Sequence, residues 1–247
     1  MSARRLGVIL VVCLLVTGCV GQSGSPTPPG ITEEGVTDTT SLVEAHTDAL
    51  ESTSFTVTST QTMRGNNPEF AVTTNRTWHL NGSHPVRGYT VQTTTASGVA
   101  PQQYTATPKV ETYRNGTTTV ERKTTTNGSK IRGVELLNSS VRLNSALHRP
   151  MLYELTTREN VTVDSVSKNG TELYRLSAAL NDTGIRSNAS LTLFVTPEGV
   201  VRELQSTRTV RYRSGPRQIT QRVRFSDIGS TAVDPPAWMP PTGDTPR

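Results

Sequence analysis

From Phe55 onward the chain alternates with a period of two: Phe55, Val57, Ser59, Gln61 and Met63 share one parity, and Thr56, Thr58, Thr60 and Thr62 the other. Successive side chains of a strand point to opposite faces, so a half-buried strand satisfies this pattern, whereas a helix would spread both sets around its circumference. The following run repeats it, placing Phe70, Val72, Trp78 and Leu80 together. Alternation, in place of continuous apolar runs, indicates antiparallel pairing with one face covered. Asn81-Gly82, Asn115-Gly116, Asn127-Gly128 and Asn169-Gly170 stand between β-like runs, where Asn and Gly supply the positive φ of type I′ turns. These turns predict a meander of consecutive hairpins. Composition agrees, since 41 Thr and 22 Ser among 247 residues are compatible with exposed strand positions.

Two stretches depart from the period of two. In residues 40–52, Leu42, Val43, His46, Ala49 and Leu50 fall on one helical face opposite Glu44, Asp48 and Glu51, and Ser41 to Glu44 has capping-box spacing. One amphipathic helix is predicted to open the domain. In residues 134–157, Leu136, Leu137, Val141, Ala146, Leu147, Met151, Leu152 and Leu155 recur at helical spacing around Pro150, which predicts two short helices with the proline at a boundary. Strands resume in 161–163, 172–178, 191–196, 200–213 and 218–226, joined at Pro197-Glu-Gly199 and Ser214-Gly-Pro216. The expected fold class is α+β: a strongly curved antiparallel β-sheet, a half-barrel of roughly eight to eleven strands, with an N-terminal helix and a helical insertion on one side. A closed β-sandwich is the alternative.

The N-terminus carries an address. Residues 1–18 run from Arg4 and Arg5 through an apolar stretch, Leu6 to Val16, to small residues. That stretch is shorter than the ~20 helical residues a bilayer requires and reads as the core of a signal peptide. Leu15-Val16-Thr17-Gly18-Cys19 resembles a lipobox, which implies cleavage between Gly18 and Cys19 and lipid attachment to the Cys19 thiol. The expected location is therefore the extracytoplasmic face of the cell membrane, with the membrane itself a partner through that lipid. Cys13 is the other cysteine and leaves with the leader, so no disulfide, metal cluster or nucleophilic thiol is expected afterwards. Gly7 stands where a twin-arginine signal has a large apolar residue, and the export route stays open.

Residues 20–38 are rich in Gly, Ser, Pro and Thr and predict a tether with a reach of roughly 25 Å. The domain is then expected over residues 39–233, followed by a proline-rich arm, 234–247, with prolines at 235, 236, 240, 241 and 246. Net charge is +5, carried mostly by Arg, and +3 once Arg4 and Arg5 are removed. So mild a balance gives no reason to invoke nucleic acid.

One antiparallel sheet interrupted by a helical insertion, behind an opening helix and a lipobox, resembles the LolA/LolB/LppX lipoprotein-carrier superfamily. The closing stretch from Arg222-Val-Arg-Phe through Asp234-Pro-Pro-Ala-Trp238 is similar to that group's last strand and proline arm. More narrowly, the layout of residues 40–239 resembles an uncharacterised family of lipoproteins from halophilic archaea. The superfamily resemblance implies a half-barrel whose concave apolar face receives acyl chains. Two or three short helices cannot cover every strand of one curved sheet, and any uncovered remainder becomes a groove. Its lining is expected from Phe55, Val57, Phe70, Val72 and Trp78, and a lipid or other apolar ligand is the expected partner. The alternative is a glycosylated structural or interaction module of the cell envelope.

Nine of the twelve Asn residues lie in Asn-X-Ser/Thr: Asn75, Asn81, Asn115, Asn127, Asn138, Asn160, Asn169, Asn181 and Asn188. These are candidate N-glycosylation sites on hairpin tips. Arg202, Arg208, Arg211, Arg213, Arg217, Arg222 and Arg224 form a basic series facing Glu198 and Glu203. It is either a site for anionic headgroups and acidic polymers or a solvated strand face that discourages edge pairing. The four histidines are scattered; His79 and His84 flank a turn but have no third ligand nearby. His46 reads as a core histidine, and Trp238 as arm packing. No Gly-X-Ser-X-Gly, His-Glu-X-X-His or phosphate-cradling loop is present, so neither an enzyme nor a cofactor is expected.

Overall fold

The computed structural model describes residues 27–66, 68–82, 87–116, 118–135, 143, 145–155, 161–168 and 170–239. The signal peptide, Gly18, Cys19, Asn138, Asn160, Asn169, His84, Leu136, Leu137 and Val141 lie outside them. A small hairpin, β1 (Ile31–Thr32) and β2 (Gly35–Val36), precedes helix α1 (Thr39–Glu51). The strands that follow are β3 (Ser54–Asn66), β4 (Glu69–Asn81), β5 (Arg87–Gly98), β6 (Lys109–Asn115), β7 (Thr118–Thr125) and β8 (Gly128–Glu135). After the insertion come β9 (Val161–Lys168), β10 (Thr171–Leu180), β11 (Arg186–Val195), β12 (Val201–Tyr212) and β13 (Gly215–Ser226).

β3 to β13 form a single 11-stranded antiparallel sheet in the order β8-β7-β6-β5-β4-β3-β13-β12-β11-β10-β9. Each strand pairs with its sequence neighbour except at the centre, where β13 returns beside β3 from Arg217↔Gly65 to Ser226↔Thr56. The chain thus reaches one edge at β8 and re-enters at the opposite edge with β9, and the insertion makes the crossing. This is the expected half-barrel and excludes the sandwich: the sheet is continuous, curved and unclosed.

Packing explains the curl. Leu80 of β4 and Leu176 and Leu180 of β10 share one buried cluster with Leu42, Val43 and Leu50 of α1. Five strand spacings separate β4 from β10, about 24 Å in a flat sheet. A helix about 10 Å across touches both only if the sheet wraps around it. The opening helix begins at Thr39, one residue before the expected bound, and its N-cap lies three residues before Ser41, which the capping box implied. Asp38 is its N-cap, extended at φ −146° and ψ 97°, with its carboxylate accepting from Thr40 N at 2.9 Å and Ser41 N at 3.3 Å. Ser41 is already inside the first turn and donates its hydroxyl to Asp38 at 2.6 Å.

The insertion starts later than expected, because Val134 and Glu135 still belong to β8. Helix α2 (Arg149–Leu152) carries Pro150 in its first turn and leads into a single 3-10 turn, Tyr153–Leu155. Leu143, Ala146, Leu147, Leu152 and Leu155 are buried in the main core.

Antiparallel pairing flanks all four Asn-Gly positions; Lys168 pairs with Thr171, and Gly170 takes a positive φ of 77° before β10. Asn115 already pairs with Thr118 as the last residue of β6, and Thr125 pairs with Gly128, leaving 126–127 as that turn. Asn81 pairs with Arg87 and so belongs to the ladder, not to a two-residue turn. A Cβ on Gly82 would lie 2.5 Å from the Glu51 carbonyl oxygen, so this glycine admits the end of α1 and does not form a type I′ turn. The turn after β12 is likewise residues 213–214, one earlier than expected. Register follows the buried face, since a one-residue slip would turn every side chain over, and local turn preference yields to it.

Both ends of the domain extend beyond expectation. Ile31 is 4% exposed and belongs to the main core, so the segment from Pro28 docks on the domain and is not part of a tether. After β13 the chain turns at Asp227 (φ 51°) and Gly229 (φ 82°), and Gly229 N donates to Ser54 O at 2.7 Å. It then crosses the convex face of β3 to β6.

Candidate functional site

Cross-strand register places Trp78, Thr90 and Thr112 in one concave row and Leu80, Gly88 and Arg114 in the next. Side chains in such rows touch across the ladder, and Gly88 supplies a gap there: a Cβ would come within 2.8 Å of Leu80 Cδ2. Above these rows, between the open half of the sheet and Leu143 and Ser145 of the insertion, lies a cavity of about 340 Å³. Trp78, Leu80, Val110 and Leu143 make its apolar surface; Arg76, Gln92, Thr90, Thr112, Arg114 and Glu121 make its polar one. A smaller cavity of about 80 Å³ shares Arg76, Trp78 and Ser145 and continues toward Ser59, Gln61, His148 and Gln221. The first volume lies at the low end of the range for small-molecule sites, roughly 300–1,000 Å³.

The five residues expected to line a groove all face the concave side, but packing divides them. Phe55 and Val57 are fully buried in the main core beneath α1. Phe70 and Val72 belong to a second cluster at the far end of the same strands, with Met63 and Ile219. Trp78 alone of the five lines the cavity. Four of the five are therefore corrected to core: α1 sits on one end of β3 and β4, and β13 with the β5–β6 connection closes the other.

A polar band separates the two clusters. Ser59, Gln61, Thr74, Arg76 and Gln221 occupy the apolar parity of β3, β4 and β13, adjacent through Ser59↔Arg76, Gln61↔Thr74 and Gln61↔Gln221. Arg76 donates Nε to Gln92 Oε1 at 2.9 Å, with Nη2 on the same oxygen, and its guanidinium lies 5.1 Å from the centroid of the Trp78 ring. Burial lowers its pKa, and it forms no ion pair with a carboxylate among the described residues. His148 meets Trp78 edge-on at 6.0 Å; burial, and then the charge of Arg76, bring its imidazole down to about 4.

Alternation read only for its apolar members passes over Arg76. The detectable signal was the interruption of the apolar parity at matching positions of neighbouring strands. His148 and Ser145 carried no comparable signal, because the insertion places them.

On the convex face, Glu111 is 2% exposed and accepts from Tyr89 Oη at 2.6 Å, from Arg122 Nε at 2.8 Å and from Trp238 Nε1 at 3.2 Å. Lys109 Nζ adds an ion pair at 3.3 Å. Arg122 also lies over the Trp238 ring, 5.1 Å from its centroid. Trp238 thus pins the C-terminal arm across the sheet, and Thr231 holds it midway through Thr56 at 2.9 Å. Burial opposes the ionisation of Glu111, but hydrogen bonds from Tyr89, Arg122 and Lys109 hold its pKa below the ordinary value.

The basic series is partly consumed in the same way. Lys168, Arg222 and Arg224 converge on the buried Glu203 at 2.8, 2.6 and 3.3 Å. Against the cost of burial, hydrogen bonds from Arg222, Lys168 and Gln205 hold Glu203 at about 2. Arg217 instead stacks on Phe70 and Tyr212 at 5.2 and 4.4 Å. His79 accepts or donates through Nδ1 to Thr56 at 3.3 Å and stacks on Tyr89 at 6.3 Å on the convex side. His46 is fully buried in the core as expected, its Nδ1 accepting from Val201 N at 3.2 Å.

Asn75, Asn115, Asn127, Asn181 and Asn188 are exposed. Asn75 is not on a hairpin tip: it sits within the convex ladder between Thr60 and Thr93, accepting from the Thr60 hydroxyl at 2.8 Å.

No protein-family model and no curated protein sequence matches the chain. Among solved structures it aligns with LprF from Mycobacterium bovis at 11% identity, covering 81% of this chain and 97% of that one, with a TM-score of 0.40. A DUF1329 family protein from Desulfovibrio piger aligns at 8% identity over 80% and 93%, TM-score 0.28. A Vibrio parahaemolyticus domain named for outer membrane lipoprotein sorting aligns at 10% over 77% and 92%, TM-score 0.25. Likeness at this level is loose.

Proposed function

We propose that this chain is an extracytoplasmic binding protein, held to the membrane by lipid on Cys19, that receives or presents an apolar or amphipathic ligand in the concave cavity. The observation that carries this reading is the unequal cover of the sheet. α1 and the insertion fill the concave side of β9 to β13 and β3, whereas the side of β4 to β7 keeps a cavity floored by Trp78 and Leu80. An apolar floor left facing an open cavity is a place for a ligand to cover. The dimensions favour one short chain or ring system over a lipid with several acyl chains. Cys19 and the first docked residue, Pro28, are separated by at most about 30 Å of extended chain. Such a protein acts as an acceptor at the membrane surface and not as a free shuttle.

The test is to purify the protein from native cells, extract it with organic solvent and analyse the extract by mass spectrometry. A reproducible stoichiometric ligand is expected from the wild type and is lost in Trp78→Arg, with the far-UV circular dichroism unchanged. A clean extract from the wild type refutes the reading and leaves the envelope module in its place.

A further inference from the structure

Charge is distributed unevenly over the concave face of the open half. Arg76 on β4, Arg114 on β6, Lys123 on β7 and Lys130 and Arg132 on β8 share that face through the pairs Thr112↔Glu121, Glu121↔Arg132 and Lys123↔Lys130. Glu121 is the acid among them, already engaged by Arg132 at 3.0 Å and Lys123 at 3.4 Å. Beyond the wall that Glu121 gives the cavity, the concave side of β7 and β8 is therefore basic, and the cavity itself holds Arg76 and Arg114.

Desolvating a guanidinium beside an amide and an indole is unfavourable unless a counter-charge arrives. Arg76 has a neutral acceptor, Gln92, and an aromatic face, Trp78. Around it stand polar groups able to complete the shell of an anion: His148, whose buried Nε2 has no hydrogen-bond partner among the described residues, and the hydroxyl and amide groups of Ser59 and Gln221. The apolar surface of Trp78 and Leu80 begins on the same strand, directly beside this polar end.

We propose that the cavity takes a single-chain anionic amphiphile with its carboxylate or phosphate head turned inward against Arg76 and its chain lying along Trp78 and Leu80. The proposal rests on the reading of the cavity as a ligand site and specifies the ligand's class and orientation. An inward head is the arrangement that matches the half-buried Arg76 to the ligand's charge, while Lys123, Lys130 and Arg132 farther along the same face draw the anion in. A chain-inward orientation would instead place methylenes against Arg76 and leave it without a counter-charge.

The experiment uses the full-length protein in phosphatidylcholine nanodiscs, with Trp238→Phe so that Trp78 is the remaining tryptophan of the two. Its emission follows titrations of octanoate, octyl phosphate, octanol and octylamine, each corrected against empty nanodiscs. At least one of the two anions should bind ten-fold or more tightly than octanol, and octylamine more weakly than octanol. Arg76→Gln should bring the anion affinities within two-fold of the octanol affinity measured on the same variant, and Arg76→Lys should retain part of the preference. Comparing octanoate with octyl phosphate identifies the head. Binding of octanol with no preference for anions, or a preference that survives Arg76→Gln, overturns the inward-head proposal while the cavity stands as a ligand site. Binding of none of the four overturns both.

Discussion

His46 offers the sharpest quantitative test of the core. Its imidazole is fully buried between α1 and β12, edge-on to Phe225 at 4.8 Å, and burial pushes it from 6.5 down to about 4, partly opposed by the Leu147 backbone. The folded state therefore holds a neutral ring where the unfolded chain readily takes a proton. A depressed histidine of this kind leaves stability intact above pH 6.5, and stability falls as the pH drops from there toward about 4. With those two values, linkage gives a loss of about 2 kcal/mol from His46 alone between pH 7 and pH 5. Glu203 changes little over that interval, because it is held at about 2 and its unfolded value is 4.5. The assay is urea unfolding by circular dichroism at pH 7 and pH 5 for the wild type and His46→Gln, a residue that still offers an acceptor to Val201 N. The wild type should lose about 2 kcal/mol more than the variant on acidification, at unchanged m-value. A pH dependence that is the same in both proteins to within about 0.5 kcal/mol refutes the assignment of a buried neutral imidazole. His148 contributes in the same direction in both proteins and cancels from the comparison.

Two further outcomes follow from the arm and the anchor. Glu111→Ala removes the acceptor shared by Tyr89, Arg122 and Trp238, and leaves two cations beside a buried site; a loss of about 3 kcal/mol in urea unfolding is expected. Faster proteolysis within residues 227–239 should accompany it, and an arm cleaved no faster than in the wild type would show that Glu111 does not hold it. Cys19→Ser should release the protein to the medium or leave an unprocessed precursor, followed by fractionation and intact mass. A mutant that stays membrane-bound at the normal mature mass would rule out the lipid anchor.

Period-two alternation by itself determined that the chain makes antiparallel strands with one buried face, because side chains alternate across a strand whatever surrounds it. The helical spacing of Leu42, Val43, His46 and Leu50 likewise determined where α1 lies and which face it buries. Parity also placed Phe55, Val57, Phe70, Val72 and Trp78 on one side. What parity cannot contain is how far along a strand the cover reaches. Only the tertiary structure decided that Phe55 and Val57 lie under α1 while Trp78 is left at a cavity, since that depends on the curl of the sheet and on the crossing from β8 to β9. Turn chemistry proved a weak guide to register for the same reason. A turn gains a fraction of a kcal/mol from an Asn-Gly pair, whereas a slipped strand exposes several buried side chains, so Asn81-Gly82, Asn115-Gly116 and Asn127-Gly128 accommodate the ladder. Glu111 and Trp238 meet across more than a hundred residues of chain, and Arg76 gains its meaning from strands on either side of it. Contacts of that span are set by the folded backbone and leave no local trace in the sequence.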